Sequence, residues 1–452
     1  MSTQITCFNR KTSRLCPGYT LVDTKDRPDK DEYTHQRVDA CLFNNEEDDF
    51  DPDDPTYGES KLSPNWDLHR LHIEFKRDKS LDAFVDNDES CEGSSSDSDD
   101  TRAQIISYAA LVFKYQHRCF LFTLLILGSQ ARIIRWDRAG AIVTERFDYK
   151  SDPEILLEFF DRFSRLDKAG QGYDTTVTVA TEKERAMMIE AAREKLAFRD
   201  YSREFFEESL NSARLWWKVP VQISATTQKY FLVGTPRFYA GGMVGRGTRG
   251  YVALNPEYEA DKTPKFVWLK DAWRVDHEGI VQEGRILEQL NSCGVSNVPS
   301  LVCHGDVDGQ MTVTQSCWGS GGGNPLKTHK HYRMVVREVG RPLESFKNGY
   351  ELTLAIYSCL GGEWSERICT ILNSHEPPIA HMMACTEASI LHRDVSIGNM
   401  IIVEPECGSI EEGPQGFLTD WELSKPLKEK RIRQQHRTVS CEERDSCDFQ
   451  VC

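Results

Sequence analysis

The chain has 452 residues, enough for two or three domains, and carries 71 acidic against 55 basic residues for a net charge of −16. This excess of negative charge argues against nucleic acid or an anionic membrane as the main partner. The 15 cysteines show neither paired nor zinc-ligand spacing, the first residues contain no apolar signal segment, and the most apolar run, residues 119–127, is too short to cross a bilayer. We therefore expect an intracellular protein, cytoplasmic or nuclear, with reduced thiols.

The N-terminal part of the chain predicts a disordered segment followed by an α+β domain. Residues 1–63 are polar, with an acidic block at 46–54, and predict disorder. Residues 64–180 predict the α+β domain, in which 86–100 is an acidic, serine-rich and exposed insertion. Apolar periodicity predicts strands over 71–76, 119–128, 131–135 and 141–147, and helices over 103–116 and 153–166.

Residues 181–215 predict a helical connector. Thr181 and Glu184 form a capping-box pattern, so we expect a helix from there to about Phe198 and a second helix over 202–215. The apolar residues of both helices indicate that the connector packs between the domain before it and a third domain, residues 216–452.

A glycine-rich loop is predicted near the start of this third domain. Gly245, Gly247, Gly250 and Val252 fit the pattern G-x-G-x-x-G-x-V. Dinucleotide-binding turns share the three glycines, but they need a helix directly afterwards to bind the pyrophosphate. Both flanks of this loop have strand character, which favours a loop that covers nucleotide phosphates.

A lysine and a glutamate follow at the expected places. Lys270 ends an apolar strand that starts at Phe266, and Glu283 lies on a predicted helix, where its carboxylate can pair with the ammonium group and keep it aimed at phosphates. Further strands are expected over 297–303, 311–314 and 332–339. Glu338 would then lie beside a bound adenine, whose contacts there are mostly with the backbone.

Two motifs with a conspicuous aspartate follow further along the chain. His392-Arg-Asp394 is followed by Asn399 and an apolar strand, and Asp420 follows Leu418-Thr419 after a turn-rich break. Phosphoryl transfer needs one carboxylate to orient the attacking hydroxyl and accept its proton, here Asp394. It also needs an asparagine and a second carboxylate to hold Mg²⁺, here Asn399 and Asp420.

The order of these motifs resembles the protein-kinase-like superfamily. The phrases GRGTRGYVAL, LKDAWR, VGRPLESF, ILHRDVSIGNMII and LTDWELSKPL, together with QARIIRWDRAGAIVTERFDY and GYDTTV further upstream, are similar to fungal-type protein kinases. The resemblance implies an α+β fold class, with an N-terminal α+β domain followed by a bilobal protein-kinase-like domain over 216–452. It also implies ATP and Mg²⁺ as cofactors and the Ser or Thr hydroxyls of proteins as acceptors.

The chain departs from that pattern at three places. Ser396 and Gly398 stand where protein kinases usually place a lysine or arginine that steadies the γ-phosphate. Asp420 is followed by Trp421-Glu422, as in aminoglycoside and choline kinases, so a small-molecule hydroxyl is an alternative acceptor. Residues 361–378, with two glycines and two prolines, interrupt what otherwise reads as one long helix and predict an insertion.

Only residues 421–452 follow Asp420, and we therefore expect a truncated chain with an incomplete C-terminal lobe. The apolar sides of Ile401, Ile402 and Leu418 would then lack part of their cover. This leaves an inactive, pseudokinase-like binding module as an alternative to the active kinase.

A third alternative concerns the N-terminal domain. Asp67, Glu74 and Lys76 have the D…E-x-K arrangement of metal-dependent nucleases, and Gln104 lies near the start of the following predicted helix. Alternation along a strand would put Glu74 and Lys76 on the same face. Because E-x-K is common on exposed strands, a solvated strand face is the competing interpretation.

Overall fold

The computed structural model describes residues 16–26, 28–29, 32–46, 66–86, 92–194, 200–211, 214–224, 226–259, 264–318, 324–360, 380–404 and 413–427. These residues form a mixed α and β structure built on two large sheets. The predicted insertion at 361–378, most of the acidic block at 46–54 and the segment after Leu427 lie outside the described residues. No helix within the described residues has the length and apolar character that crossing a membrane requires.

The first sheet has the strand order β1-β2-β3-β4-β5-β6, with β7 paired to β5. Its strands are Tyr19–Asp23 (β1), Ala40–Asn44 (β2), Leu71–Lys76 (β3), Phe120–Leu127 (β4), Gln130–Asp137 (β5), Gly140–Val143 (β6) and Phe147–Asp148 (β7). Helix α1, Ser96–Tyr115, connects β3 to β4, the one parallel pair among these strands. A parallel pair requires such a crossover, because a tight turn joins only antiparallel neighbours.

Each face of the first sheet is covered by one helix. Helix α1 packs on one face, where Phe113 contacts the core that includes Trp136. Helix α2, Glu154–Arg165, packs on the other face through Phe160 and Phe163. Strand β4 is therefore buried on both sides, which explains its continuous apolar sequence.

The prediction of disorder over 1–63 is wrong for the described part of that segment. Strands β1 and β2 pair with each other, and β2 pairs with β3, so the sheet begins before residue 64. Leu21, Leu42 and Phe43 are all buried in the two cores of this sheet. The composition of residues 1–63 is polar on average, so it did not indicate the two short apolar strands. We attribute the stability of these strands to the pairing with β3.

The serine-rich stretch at 86–100 is only partly an insertion. Helix α1 starts at Ser96 rather than at 103, and the Ser95 side chain caps it by accepting a hydrogen bond of 3.1 Å from the Ser98 amide. Asp97 and Asp99 lie in the first turn, where negative charge interacts favourably with the helix dipole. The same acidic composition thus forms a helix N-terminus instead of a loop.

The second sheet has the strand order β14-β15-β13-β12-β10-β9-β8, with β11 paired to β12. Its strands are Thr178–Val179 (β8), Trp217–Gln222 (β9), Gln228–Val233 (β10), Phe238–Tyr239 (β11), Arg249–Leu254 (β12), Phe266–Val275 (β13), Leu301–Met311 (β14) and His329–Val336 (β15). Helix α5, Glu283–Ser292, connects β13 to β14.

The predicted connector packs on this second sheet. Helix α3, Glu182–Arg193, starts with the expected capping box at Thr181, and helix α4, Tyr201–Ser209, ends earlier than predicted. Phe206 on α4 contacts Phe266 of the sheet, with ring centroids 5.1 Å apart. Helix α5, Glu283–Ser292, lies in a different core, with the elements that follow in the chain.

The remaining elements enclose the core beneath the acidic motifs. They are Arg341–Pro342 (β16), Gly349–Leu360 (α6), Ala380–Thr386 (α7), Ile390–Leu391 (β17), Met400–Val403 (β18), Gln415–Leu418 (β19) and Lys425–Pro426 (β20). Ile402 and Leu418 are fully buried here, because α6 and α7 pack beside them. The expectation that their apolar sides lack cover is wrong for these two residues, and Ile401 is half-buried.

Candidate active site

Three of the predicted site residues meet around one ammonium group. Lys270, on β13, lies with its Nζ 2.6 Å from Oε2 of Glu283 and 2.7 Å from Oδ1 of Asp420. Glu283 is the first residue of α5, and its Oε1 accepts a hydrogen bond of 3.0 Å from the amide of Trp421. One glutamate therefore holds both the lysine and the segment that carries Asp420.

Two further charged residues join this cluster, although no sequence motif assigned them to the site. Oε2 of Glu422 lies 3.5 Å from Nζ of Lys270 and 2.9 Å from the guanidinium of Arg246. Arg246 also lies 3.8 Å from Asp420. Two sequence features could have predicted these residues. Glu422 belongs to the Asp-Trp-Glu sequence, and Arg246 is a basic residue at a variable position of the glycine-rich loop.

The cluster has an excess of negative charge. Carboxylate oxygens of Glu283, Asp420 and Glu422 lie within 4.8 Å of one another, and two cations face these three carboxylates. Burial, together with Asp420 and Glu422, raises the pKa of Glu283 to about 7 in spite of Lys270. Burial opposes the charge of Lys270, but the three carboxylates outweigh it and raise its pKa well above the usual value.

One backbone and two side-chain hydrogen bonds bring Asp394, Asn399 and the segment of Asp420 together. The amide of Thr419, beside Asp420, donates to the carbonyl of Asn399 at 2.8 Å. The side-chain amide of Asn399 donates to the backbone carbonyl of Asp394 at 2.8 Å and to its Oδ2 at 3.1 Å. This orientation leaves Oδ1 of Asn399 as the atom that is available to a ligand.

A buried histidine supports this arrangement. His392 donates from Nε2 to the carbonyl of Thr419 at 2.9 Å and accepts at Nδ1 from the amide of Asp394 at 3.2 Å. Burial lowers the pKa of His392, which favours the neutral ring that this pattern of one donor and one acceptor requires. His392 therefore positions the backbone of Asp394 relative to the Asp420 segment.

The glycine-rich loop lies between β11 and β12, as predicted. Gly245 and Gly247 have φ angles of +94° and +48°, in the left-handed region that favours glycine. Gly250 lies within β12 opposite Lys270, and a Cβ there would be 2.2 Å from the Trp268 ring. The third glycine is thus required by close packing within the sheet.

The structure gives the other two predicted nucleotide contacts a different environment. Val252 is fully buried in the core beneath α4, together with Leu254. The carboxylate of Glu338 accepts hydrogen bonds from the Ser300 amide at 2.7 Å and from its hydroxyl at 2.6 Å. The Glu338 side chain therefore ties the end of β15 to the start of β14, and only its backbone remains as a candidate adenine contact.

The glycine-rich loop is also held by the first sheet, a contact that no sequence motif predicted. The amide of Gly245 donates to the carbonyl of Arg138 at 2.8 Å, and the guanidinium of Arg138 donates to the carbonyls of Gly242 and Met243, each at 3.2 Å. The side chain of Met243 is buried in the core beneath α1. The two sheets therefore share this loop as a joint structural element.

A buried ionic network joins the two sheets beside the loop. Arg249 lies with Nη2 2.8 Å from Asp271 and donates to the carbonyl of Gln116 at 3.1 Å. Arg333 pairs in the same region with Asp174, a residue of the GYDTTV phrase. Burial alone would raise the pKa of the Asp271 carboxyl. The cations around Asp271 outweigh burial and hold this pKa well below the usual range.

These features together define a kinase-like protein: a glycine-rich loop, a buried lysine–glutamate pair, and an aspartate–asparagine pair beside a second aspartate. The sequence matches the profile of the fungal protein kinase family over residues 85–321 and 376–443, which is more than half of the chain. The chain therefore belongs to the fungal protein kinase family. No curated protein matches it. The matched region includes α1 and β4 to β7, so the family resemblance extends into the first sheet.

Proposed function

We propose that the chain is an ATP-dependent protein kinase that transfers the γ-phosphoryl group to Ser or Thr hydroxyls, with a two-lobed catalytic domain. The main support is the buried pair of Lys270 and Glu283, 2.6 Å apart, in which the glutamate also accepts a hydrogen bond from the amide of Trp421, directly after Asp420. This pairing links the phosphate-binding lysine, its orienting glutamate and the metal-binding aspartate in one cluster. In this proposal Asp394 orients the acceptor hydroxyl and takes up its proton.

The residues present fit ATP and Mg²⁺. Mg²⁺ prefers oxygen ligands, and the cluster around Lys270 contains three carboxylates against two cations. Asp420 and Oδ1 of Asn399 would hold the ion, which when bound neutralises charge on the phosphates. Lys270 would contact the α- and β-phosphates, and Arg246 would bring a cation from the glycine-rich loop to a region where Ser396 and Gly398 provide none.

One observation supports the alternative of a nucleotide-binding module without transfer activity. Lys270 and Asp420 bind each other directly at 2.7 Å, whereas a working site needs the first on phosphates and the second on Mg²⁺. The Asp-Trp-Glu sequence keeps a small-molecule acceptor as a second alternative.

Two measurements on the full chain test these proposals. Thermal stability with and without ATP and Mg²⁺ is compared for the unmodified chain, Lys270→Ala, Asp420→Ala and the exposed control Glu145→Gln. We expect stabilisation that only the first two substitutions remove. Radiolabelled ATP is then offered with a generic protein substrate, choline or an aminoglycoside, using Asp394→Asn as the catalytic control.

The outcomes separate the three functions. Transfer to Ser or Thr that Asp394→Asn reduces at least a hundredfold supports the protein kinase. Transfer to choline or the aminoglycoside alone identifies a small-molecule kinase. Binding of ATP without transfer to any acceptor identifies the binding module, and absence of ATP binding refutes all three.

A further inference from the structure

A second group of polar residues lies on the first sheet, on the face that α1 covers. Nζ of Lys76 lies 2.8 Å from Oε1 of Glu74 and also donates to Oε1 of Gln104 on α1. Gln104 in turn donates to the hydroxyl of Tyr108 at 2.7 Å. The E-x-K pair of β3 is thus enclosed between the sheet and the helix, and the interpretation as a solvated strand face is wrong.

The aspartate of this group is Asp39, and not Asp67 as the sequence pattern predicted. Asp67 binds the guanidinium of Arg214 at 2.7 Å and is buried in that contact. Strand β2 pairs with β3 so that Ala40 is opposite Ile73, which places Asp39 beside Glu74. Oδ2 of Asp39 accepts a hydrogen bond of 2.8 Å from the amide of Phe75, directly after Glu74.

One oxygen of this site is left without a hydrogen-bond partner. Glu74 is only 4% exposed, and its buried Oε2 has no partner among the described residues. An unsatisfied buried carboxylate oxygen is strongly unfavourable, so a ligand that supplies positive charge fits this position.

The carboxylates and the lysine of this site indicate which kind of ligand it would bind. Carboxylate oxygens bind Mg²⁺ and Mn²⁺, and such an ion would make a bound water more acidic and therefore easier to convert into the attacking hydroxide. Lys76 adds a cation on the same strand face, suited to an anionic phosphate, and Lys25 also acts on Asp39, although its ammonium is paired with Asp23 at 3.6 Å. Because exposed charges beyond a Debye length are largely screened, the charges close to the site affect a phosphate there more than the net charge of the whole chain does.

We propose that Asp39 and Glu74 bind a divalent cation and that this site, with Lys76, hydrolyses phosphodiester bonds of nucleic acid. Water adds to phosphorus to form a new P–O bond, and the P–O bond to the leaving sugar oxygen breaks. The leaving oxygen takes up a proton, and the proton released by the water passes to the buffer. The products are a phosphomonoester and a free hydroxyl group. Lys76 stabilises the charge that develops on the phosphate, and Gln104 keeps its ammonium in place.

The experiment uses the full chain carrying Asp420→Asn, so that the carboxylate cluster at Lys270 contributes as little as possible to metal binding. Mn²⁺ binding is followed by thermal stability and by calorimetry. Cleavage of labelled single-stranded DNA, double-stranded DNA and RNA is followed with Mg²⁺ or Mn²⁺. The test variants are Asp39→Asn, Glu74→Gln and Lys76→Ala. The matched controls, on exposed positions of the same sheet region, are Glu145→Gln and Lys150→Ala.

We expect Asp39→Asn and Glu74→Gln to weaken Mn²⁺ binding at least tenfold and to abolish cleavage. Lys76→Ala should keep Mn²⁺ binding within a few fold and reduce cleavage at least a hundredfold. Lys76→Met, which retains the apolar stem, replaces it if the alanine variant does not fold. Absence of Mn²⁺ binding, binding without cleavage of any of the three substrates, or cleavage that persists in Glu74→Gln overturns the proposal.

Discussion

The contact between Arg138 and the glycine-rich loop can be tested quantitatively. Arg138→Ala removes two hydrogen bonds to loop carbonyls and the contact of the guanidinium with the Phe113 ring, whose centroid is 4.4 Å away. Hydrogen bonds of charged groups contribute roughly 1.5–3 kcal/mol each, and a cation–π contact about 1 kcal/mol. Because the 3.2 Å hydrogen bonds are long, we expect a total loss of about 3 kcal/mol.

A double-mutant cycle isolates this contact. A Cβ on Gly247 would lie 2.2 Å from the guanidinium carbon of Arg138, so Gly247→Ala displaces the arginine and also introduces strain at φ +48°. The strain alone is about 1–2 kcal/mol. We therefore expect Gly247→Ala to destabilise the unmodified chain by about 4 kcal/mol, but the Arg138→Ala chain by only the strain. The coupling energy is then about 2–3 kcal/mol.

The assay is urea unfolding of the four proteins, combined with hydrogen exchange over residues 240–248. Gly245→Ala is the matched control, because its φ is +94° and a Cβ there has no atom within 4 Å. Its effect should be equal in both backgrounds. If Gly247→Ala destabilises the Arg138→Ala chain as much as the unmodified chain, Arg138 does not hold the loop and the reasoning is refuted.

Three further predictions concern the cores and the interface. Asp271→Asn should lower the free energy of unfolding at pH 7 by about 3–5 kcal/mol, since it leaves buried cations without their partner. Because the folded-state pKa of Asp271 is depressed, its stabilisation is present above the unfolded pKa of about 3.9 and is lost as the pH falls. The unmodified chain should therefore lose more stability than the variant between pH 4 and pH 2, and equal losses would contradict this. Trp421→Ala should destabilise the chain by about 3–5 kcal/mol because the ring is fully buried, with Trp421→Phe as the milder control in the same unfolding assay. Arg214→Met should destabilise by about 3–5 kcal/mol by leaving Asp29 and Asp67 buried without this cation. Asp67→Asn in the Arg214→Met background should recover part of that loss, and a further loss would contradict the ion-pair assignment.

The sequence phrases that resemble the family in the N-terminal domain contain residues that contact the second sheet. In the turn that begins at Trp136, the Asp137 carboxylate accepts hydrogen bonds from the amides of Val313 and Thr314 at 2.9 and 3.1 Å. Arg138 of the same turn binds the glycine-rich loop, and Asp174 pairs with Arg333. These residues join the two sheets, so the first sheet contributes directly to the positions of the glycine-rich loop and of elements of the second sheet.

The sequence by itself determined the local elements and the order of the motifs. Strand β3 was predicted with its observed bounds, because alternation of side chains over six residues is a local property. The capping box at Thr181 was likewise predictable, since both partners lie within one helical turn. The motif order from Gly245 to Asp420 identified the family before any contact was known, because each motif is short and contiguous.

Only the tertiary structure decided which distant residues meet. Strands β1 and β2 form because β3 pairs with the backbone groups along the edge of β2. The polar composition of residues 1–63 gave no indication of this pairing. Asp39 rather than Asp67 stands beside Glu74 because strand register, and not sequence distance, sets the neighbours across a sheet. Arg138 reaches the glycine-rich loop from a different sheet. Such contacts depend on how two sheets with separate cores pack together, and the periodicity of a single segment contains no information about its partner.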